Sequence, residues 1–428
     1  MLIDNIIQYN TWWETGNIGN DTPIDHKRKL FYDVINYIKD RQILVIYGLR
    51  RTGKTTLMYH IIDYLLKNGI NKYNILYFSF DYHNEELKNI IGEYEKYILK
   101  NTLMMENSKI YIFLDEIQKL EDWQNKIKIY YDTYKNIKFI ISGSASINIE
   151  RNSNESLAGR MYDFLLNPMN FQEFLNLKNI KYEMDNIVLY KDMLGKVFND
   201  YLLKGGFPEL IDENDDKKIK RYIKTIINSI VLIDIPEEFQ IKNIELLKNI
   251  LNIIGDQPGF ILNYDLLSRS FNVSKETLIN YFYYLDYSLI IQPVLNIRKS
   301  FIATSRKMKK IYFYNSSFLY NYKAIMDSNY YGKLIENFVM QHLNAKYYYR
   351  EKTDEIDFIL KDDIIIPVEV RYRKNINTQN FVKILKKLNL NYGVIISNDL
   401  FKDEIIDDIK VKIIPVWYMA LISPKDLK

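Results

Sequence analysis

One short segment constrains the fold of this 428-residue chain more than any other feature. Residues 48–55 read GLRRTGKT and fill every fixed position of a phosphate-binding loop. The segment follows an apolar run at residues 42–47, typical of a buried parallel strand, and residues 56–62 then open a helix. Glycines in such a loop let backbone N–H groups surround a phosphate at the helix N-terminus, where the helix dipole favours an anion. The pattern therefore predicts a nucleotide site.

Two side chains of this loop carry specific roles. Lys54 is expected to reach the β- and γ-phosphates of ATP, and the Thr55 hydroxyl is expected to ligate Mg²⁺. Arg50 and Arg51 either pack against the nucleotide or are simply exposed. The predicted cofactor-binding residues are Gly48, Leu49, Arg50, Arg51, Thr52, Gly53, Lys54, Thr55 and Thr56.

A second motif supplies two acidic residues. Residues 109–114 form an apolar strand that ends in Asp115 and Glu116, the arrangement of a Walker B strand. Asp115 is expected to hold Mg²⁺ through water, and Glu116 to orient and deprotonate the attacking water. Two acids after a strand are often only a solvated turn, but their place about 60 residues after Lys54 favours the catalytic interpretation.

Polar residues near two further strands complete the predicted catalytic set. Residues 138–141 precede Ser142 and Ser144; either serine is placed to sense the γ-phosphate, and a tight turn explains the small residues equally well. Arg160 precedes a later strand and is predicted as an arginine finger, acting in the same subunit or across an interface. A surface salt bridge is the alternative for Arg160, and Arg151 is the weaker candidate for the finger.

The spacing of these motifs predicts the architecture of a nucleotide-binding core at residues 39–167. Apolar runs at residues 74–80 and 162–166 bring the number of strands to five, and the strands alternate with helical sequence. This alternation indicates an α/β fold with a doubly wound parallel sheet that binds its ligand at the carboxyl ends of the strands. Residues 1–38 form a lead-in segment, and residues 168–240 are predicted to form a helical lid.

Residues 241–314 are predicted to form a winged helix-turn-helix. An amphipathic helix at residues 264–271 is followed by a second helix that begins after Ser274, a good N-cap. The second helix could enter a DNA major groove, but such modules also dock proteins, and its exposed face offers Lys275 without a basic run. A basic stretch in the wing either meets a phosphate backbone or is a solvated loop. It comprises Arg298, Lys299, Arg306, Lys307, Lys309 and Lys310.

Residues 315–428 are predicted to form a smaller α/β domain with the metal-site pattern of restriction-type nucleases. Asp357 lies on one strand and Glu369 on the next, where two carboxylates could hold a second Mg²⁺. The lysine of that pattern is replaced by Arg371, which does not exchange a proton at ordinary pH. Lys374 lies at an odd offset and faces the other side of an extended chain. Nuclease activity is therefore the least expected function.

The amino-acid composition limits which metals, which partners and which location we expect. The chain has no cysteine and four histidines, so disulfides, zinc sites and thiol chemistry are not expected, and oxygen ligands point to Mg²⁺ or Mn²⁺. A net charge of +4 permits nucleic-acid contact but falls short of a basic footprint. No apolar run approaches the roughly 18 residues that span a bilayer, and no export signal is evident at the N-terminus. We expect a cytoplasmic protein without a membrane partner.

Taken together, the motifs resemble those of archaeal and bacterial AAA-type P-loop ATPases that carry a winged helix and a C-terminal restriction-nuclease-like domain of the PD-(D/E)xK type. The resemblance implies Mg-ATP hydrolysis, and it covers nearly the whole chain. The chain departs from this family at Arg371, where the active pattern has lysine, and at Asn315, where the family often has an acid. The motifs that carry the resemblance are Trp12-Trp13, GLRRTGKTTL, FLDEIQKLEDW, SGSAS, LAGR, GGFP, GKLIENFV, EIDFIL and PVEVRYR.

The sequence leaves open what ATP turnover is coupled to. The first hypothesis is an ATP-driven machine that binds or remodels double-stranded DNA, motivated by the winged helix and the nuclease-like tail. The second is a regulatory switch in which ATP occupancy controls the binding of a protein partner. The third is a Mg²⁺-dependent nuclease. The sequence does not decide whether the chain self-associates.

Overall fold

The computed structural model describes residues 2–19, 26–81, 85–147, 157–298, 304, 308–323, 327–361, 364–373 and 376–427. The chain divides into two compact units, Met1–Pro168 and Met169–Lys428. Within the described ranges, the first unit contains a five-stranded sheet and the second a nine-stranded sheet. No helix in these ranges is both long enough and apolar enough to cross a membrane.

The sheet of the first unit is parallel throughout. Its strands are β1 (Ile43–Tyr47), β2 (Ile75–Ser79), β3 (Ile110–Asp115), β4 (Ile137–Gly143) and β5 (Met161–Leu165). They are arranged in the order β2-β3-β4-β1-β5. Strands β1 to β4 are buried along their whole length, which is why they read as continuous apolar runs. The predicted parallel sheet is confirmed.

Strand order positions the motifs of the first unit. Strands β3, β4 and β1 are neighbours, and all three run in the same direction. Their carboxyl ends therefore share one edge of the sheet, where open α/β folds bind ligands. The phosphate loop follows β1, the acidic pair lies at the end of β3, and the two serines lie at the end of β4.

An N-terminal segment covers β2, which is an edge strand of this sheet. The Asn10 amide donates to the Tyr77 carbonyl at 2.8 Å and accepts from the Tyr77 N–H at 2.7 Å. The indole N–H groups of Trp12 and Trp13 both donate to the Ile75 carbonyl. These bonds occupy backbone groups that an exposed edge would offer to another strand. The helices of this unit are α1 (Leu2–Tyr9), α2 (Trp12–Thr15), α3 (Lys29–Asn36), α4 (Lys54–Lys67), α5 (Leu87–Tyr94) and α6 (Trp123–Thr133).

The second unit opens with helices and continues into a mixed sheet. Its helices are α7 (Phe171–Leu177), α8 (Lys191–Lys204), α9 (Asp216–Ser229), α10 (Ile235–Phe239), α11 (Ile244–Asp256), α12 (Tyr264–Phe271), α13 (Lys275–Tyr287), α14 (Ser328–Leu343), α15 (Gln379–Lys387) and α16 (Val416–Met419). Its strands are β6 (Phe260–Ile261), β7 (Ile291–Asn296), β8 (Lys310–Phe313), β9 (Tyr347–Glu351), β10 (Asp354–Lys361), β11 (Ile365–Arg371), β12 (Tyr392–Ser397), β13 (Lys402–Ile406) and β14 (Ile409–Pro415).

The nine strands of the second unit form one continuous sheet in the order β13-β14-β12-β11-β10-β9-β7-β8-β6. The link is a parallel pairing of β7 with β9, through Leu295 with Tyr347 and Asn296 with Tyr348. The sheet therefore crosses the domain boundary that the sequence predicts between residues 314 and 315. The region predicted as a winged helix shares its sheet with the region predicted as nuclease-like.

The helices predicted to form a lid pack within the second unit. The ring of Phe198 on α8 lies 5.0 Å from the ring of Phe338 on α14. The Asn315 side chain is buried and donates to the Gly205 carbonyl at 2.9 Å, while its oxygen accepts from the Ser317 N–H. Asn315 thus joins the turn after α8 to the segment after β8. A lid role over the nucleotide core stays a prediction.

Candidate nucleotide site

The phosphate loop has the backbone geometry that its glycines predict. A Cβ atom at Gly48 would overlap the backbone oxygen of Leu166, so only glycine fits there. Gly53 precedes α4 with φ of 93°, in the left-handed region that favours glycine. Lys54 is 6% exposed, and its ammonium donates to the carbonyls of Gly48 at 3.3 Å and Leu49 at 3.0 Å. The lysine head therefore lies inside the curl of the loop.

The Asp115 carboxylate is the centre of this site. Its Oδ2 accepts from the Thr55 hydroxyl at 2.6 Å and from the Tyr77 hydroxyl at 2.9 Å. Its Oδ1 accepts from the Ser142 hydroxyl and from the Glu116 backbone N–H. Adjacent Thr55 and Asp115 oxygens are hard ligands of the kind that Mg²⁺ prefers, so these residues fit the cation of Mg-ATP.

Glu116 lies where the chain turns sharply after β3. Its φ of 53° is in the left-handed region, which is uncommon for a residue with a side chain and is often found at functional sites. One Glu116 carboxylate oxygen accepts from the Gln118 amide at 2.6 Å. A Cβ atom at Gly143 would overlap the Gln118 side chain, so the glycine that ends β4 leaves room for this amide. The sequence interpretation did not include Gln118.

Tyr77 is a second residue that the sequence interpretation missed. Its ring stacks on Tyr59 of α4, with the ring centroids 5.0 Å apart. Burial raises the pKa of the Tyr77 hydroxyl well above its usual value, and the negative charge of Asp115 raises it further. The phenol is therefore protonated at neutral pH and donates to the carboxylate. The available signal was a polar-tipped residue within the apolar strand β2, next to β3.

The remaining predicted residues of this site are two serines near the end of β4 and two arginines of the phosphate loop. The Ser142 hydroxyl donates to Asp115, and Ser144 lies beyond the end of β4. Arg50 is half-buried, and Arg51 is exposed with φ of 64°. Sensing by either serine stays a prediction.

Arg160 does not lie at the phosphate loop. Its backbone carbonyl accepts from Ile43 at the start of β1, whereas the loop follows the end of β1. The five residues of that strand span roughly 16 Å at ~3.3 Å per residue. The guanidinium instead pairs with Asp132 at 3.1 Å. A finger acting in the same subunit does not fit this placement, so only the form acting across an interface stays a prediction. Arg151 lies outside the described residues.

The structure brings the two predicted carboxylates of the second unit together. Asp357 on β10 accepts from the Val370 N–H at 3.0 Å, and its own N–H donates to Glu369 at 3.3 Å. Burial raises the pKa of Glu369 well above its usual value, and Asp357 raises it further. Arg371 pairs with Glu369 at 2.6 Å rather than facing an open site.

Both carboxyl groups of this pair already contact basic side chains of the same chain. Among the residues that the structure describes, no group of three or more acidic or histidine side chains is arranged to hold a metal ion. The second metal site at Asp357 and Glu369 stays a prediction, and in the structure both carboxyl groups belong to an ion-paired cluster. Lys374 lies outside the described residues.

Two lysines of the predicted DNA-binding elements, Lys275 and Lys310, are ion-paired in the part of the chain that the structure describes. On α13, Glu276, Ile279 and Tyr283 are exposed, and Lys275 pairs with Asp265 at 2.9 Å. Within the basic stretch, Lys310 is buried rather than solvated, which corrects its interpretation as a surface residue. Lys299, Arg306 and Lys307 lie outside the described residues.

Three family models match consecutive parts of the chain. Residues 40–175 match a model described as an AAA domain. Residues 195–329 and 331–419 match two models described as domains of unknown function, DUF8612 and DUF4143. Most of the first unit is therefore similar to AAA domains, and the models that match the second unit have no assigned function.

Similar whole chains are also found. The uncharacterized protein MJ1544 of Methanocaldococcus jannaschii is 29% identical over 89% of this chain and 88% of its own length. An uncharacterized protein of Haemophilus influenzae is 26% identical over 88% of this chain and 94% of its own length.

Parts of the chain are similar, at low TM-score, to two solved structures. PCH-2 of C. elegans has a TM-score of 0.30 and 12% identity, covering 52% of this chain and 66% of its own. RuvB of Thermotoga maritima, a Holliday junction branch migration motor, has a TM-score of 0.27 and 16% identity, covering 64% of this chain and 89% of its own. TM-scores this low do not establish a shared overall fold.

Proposed function

We propose that the first unit binds and hydrolyses Mg-ATP at the carboxyl edge of its parallel sheet. The observation that carries the proposal is the convergence on Asp115 of donors from α4, β2 and β4, directly beside the phosphate loop. Burying a carboxylate is costly unless other groups stabilise its charge, so a chain that needed only packing here would use an apolar residue. A buried carboxylate held by three donors therefore indicates a site for a charged ligand. The match of residues 40–175 to an AAA domain supports the same function.

Each residue of the site would have a defined task. Lys54 would leave the carbonyls of Gly48 and Leu49 to hold the β- and γ-phosphates. Thr55 and Asp115 would hold Mg²⁺, whose positive charge offsets the charge that develops on the transferred phosphoryl group.

Glu116 would act on the attacking water. Phosphoryl transfer depends mainly on positioning and charge stabilisation, so a carboxylate that orients the water and accepts its proton is sufficient. The Gln118 amide holds one Glu116 oxygen and leaves the other for this contact. Because the left-handed turn at Glu116 sets the direction of the side chain, Gln118 and the turn would together fix the position of the base.

The test is ATP binding and turnover by wild type, Lys54→Ala and the matched control Lys67→Ala. Lys67 ends the same helix, and its exposed side chain pairs with the buried carboxylate of Asp63 at 2.9 Å. We expect Lys54→Ala to weaken ATP binding and lower turnover at least about hundredfold, because it removes a direct phosphate contact, while Lys67→Ala stays near wild type. Equal loss in both variants, or no loss in Lys54→Ala, would refute the proposal.

For the coupled function, we favour nucleotide-controlled binding of a protein partner over DNA remodelling. The observation is the outer face of α13, where Ile279 and Tyr283 are exposed beside Glu276. A helix that reads DNA needs positive charge against the phosphates, and an acidic, apolar face opposes that contact. Exposed apolar and aromatic side chains suit a protein interface.

Two measurements separate these coupled functions. DNA-stimulated turnover with a steep salt dependence would support DNA remodelling and count against a protein partner. Recovery of one partner by the Glu116→Gln variant with ATP, abolished by Tyr283→Ser, would support the protein interface. The control is Asn68→Ala in the first unit, at an exposed residue remote in sequence from α13.

A further inference from the structure

We propose that Lys310 is a resident cation that takes the place of a divalent metal in the carboxylate cluster of the second unit. Its ammonium lies 2.6 Å from Glu355, 3.5 Å from Asp357 and 3.7 Å from Glu336. The Lys310 side chain is 5% exposed. One buried cation therefore lies within 4 Å of three carboxyl groups, and oxygen ligands of this kind are the ones that hard metal ions bind.

The geometry of β8 delivers this lysine to the cluster. Lys310 and Tyr312 are two residues apart on one strand, so their side chains share a face of the sheet. The Tyr312 hydroxyl donates to Glu336 at 2.7 Å, which places both side chains at the same carboxylate. The ammonium also lies 5.3 Å from the centre of the Tyr348 ring on β9. Strands β7 and β9 lie between β8 and β10 in the sheet, and the Lys310 ammonium nevertheless contacts Asp357 on β10.

Each carboxyl group of the cluster has a basic partner in the same chain. Besides the contacts of Lys310, Glu336 pairs with Lys333 at 2.7 Å, Glu355 with Arg350 at 3.5 Å and Glu369 with Arg371 at 2.6 Å. The four carboxylates Glu336, Glu355, Asp357 and Glu369 therefore face the four cations Lys310, Lys333, Arg350 and Arg371. Buried charges need such compensation, and these basic side chains supply it.

The cluster lies beside a cavity, so a lack of access is not the reason that a lysine rather than a metal ion contacts the carboxyl groups. A cavity of about 520 Å³ is lined by Lys310, Lys333, Arg350 and Glu355, together with residues of α12. A hydrated metal ion could enter a space of this size. Because the ammonium is attached to the chain, it has a high local concentration at the carboxylates, and a metal ion must displace it to bind.

The test uses Mn²⁺ binding to the nucleotide-free, full-length protein, measured by electron paramagnetic resonance. We expect wild type and Asp357→Asn to bind the same number of Mn²⁺ ions, because Asp357 already has a cation. We expect Lys310→Met to gain one Mn²⁺ per chain and Lys310→Met with Asp357→Asn to lose it again. The first unit is unchanged in all four proteins, so any Mn²⁺ at its own site cancels in the comparison.

The control variant is Lys309→Met, which removes the same charge from the neighbouring position and should gain no ion. A Mn²⁺ bound by wild type and lost in Asp357→Asn would overturn the proposal, because it would show a metal beside the lysine. A folded Lys310→Met that gains no Mn²⁺ would also overturn it. If Lys310→Met does not fold, the proposal is decided by the number of Mn²⁺ ions bound to wild type and to Asp357→Asn.

Discussion

Asp115 accepts hydrogen bonds from Thr55, Tyr77, Glu116 and Ser142, which come from four separate segments of the first unit. Hydrogen bonds to a charged group are stronger than neutral ones and hold its direction. The carboxylate is therefore in place before any ligand arrives. At the residue scale, the site depends on this prior orientation as much as on the phosphate loop.

Removal of the Tyr77 hydroxyl tests this orientation. We expect Tyr77→Phe to keep the stack on Tyr59 but to raise the Mg²⁺ concentration for half-maximal ATP turnover about tenfold, because one hydrogen bond to a charged group contributes at least about 1.5 kcal/mol. Turnover at saturating Mg²⁺ should change little. The measurement is ATP hydrolysis across a Mg²⁺ titration.

The matched control for this variant is Tyr94→Phe. The Tyr94 hydroxyl is also buried in the first unit, but it donates to the Tyr73 carbonyl at 2.6 Å and does not contact Asp115. An equal Mg²⁺ shift in the two variants would mean that Tyr77 acts on stability and not on the Asp115 carboxylate.

His342 near the end of α14 predicts a pH dependence of stability. Burial lowers the pKa of this imidazole below its ordinary value, and its Nε2 lies 3.0 Å from the Ile422 carbonyl. The unfolded chain binds a proton near pH 6.5, whereas the folded chain binds it only at lower pH, so stability is lost as the pH falls below 6.5. We expect the free energy of unfolding to fall by up to about 1.4 kcal/mol per pH unit in that window.

Urea unfolding at pH 7.5, 6.5 and 5.5 measures this loss, with His342→Leu as the reference that cannot titrate. The difference between wild type and the variant should shift with pH in the stated direction. Parallel curves for the two proteins would show that the folded state accepts the proton as readily as the unfolded chain.

At the scale of elements, the turn after α8 shows how glycines fix a connection. Gly205 and Gly206 have φ of 64° and 73°, in the left-handed region. A Cβ atom at Gly206 would overlap the backbone oxygen of Met169, and one at Gly205 would overlap the side chains of Ser317 and Asn315. The GGFP motif therefore serves packing within the second unit, and its presence does not require a role in catalysis.

A pair of glycine variants tests this turn. We expect Gly206→Ala to lower the free energy of unfolding by more than about 2 kcal/mol, because it combines a strained φ with a clash against backbone. Gly195→Ala, inside α8 with nothing near its added methyl group, should raise stability by roughly 0.5–1 kcal/mol. Thermal or urea unfolding of both variants gives the comparison, and a neutral Gly206→Ala would contradict the packing account.

Local pattern was enough to predict the strands of the first unit. Strands β1, β3 and β4 are apolar runs that end at or next to a motif residue; β3, for example, ends at Asp115. The observed bounds of all five strands lie within a residue or two of the predicted ones. The second unit was harder, because the pairing of β7 with β9 joins strands separated by residues 297–346 in the chain. Nothing in either strand alone marks its partner, and the sequence interpretation therefore separated one sheet into two domains.

At the scale of the whole molecule, contiguous motifs of the candidate sites could be predicted from the sequence, whereas contacts between distant strands could not. The phosphate loop and the acidic pair are contiguous motifs, so the residues that the structure places around Asp115 include most of those expected. Tyr77 was missed and Lys310 misassigned because their contacts are made across strands. Gln118 was missed although its contact with Glu116 is local. Lys310 in particular resembled part of a solvated basic loop until the fold placed its ammonium among carboxylates.

The central claim is that the first unit hydrolyses Mg-ATP with Glu116 as the base. The most direct measurement compares ATP affinity and turnover in wild type, Glu116→Gln and the control Glu121→Gln, an exposed acid on the following turn. The account predicts that Glu116→Gln keeps ATP affinity within about threefold and loses turnover by at least about a hundredfold, while Glu121→Gln matches wild type. Turnover by Glu116→Gln close to that of wild type, or a wild type that binds ATP without hydrolysing it, would contradict the claim.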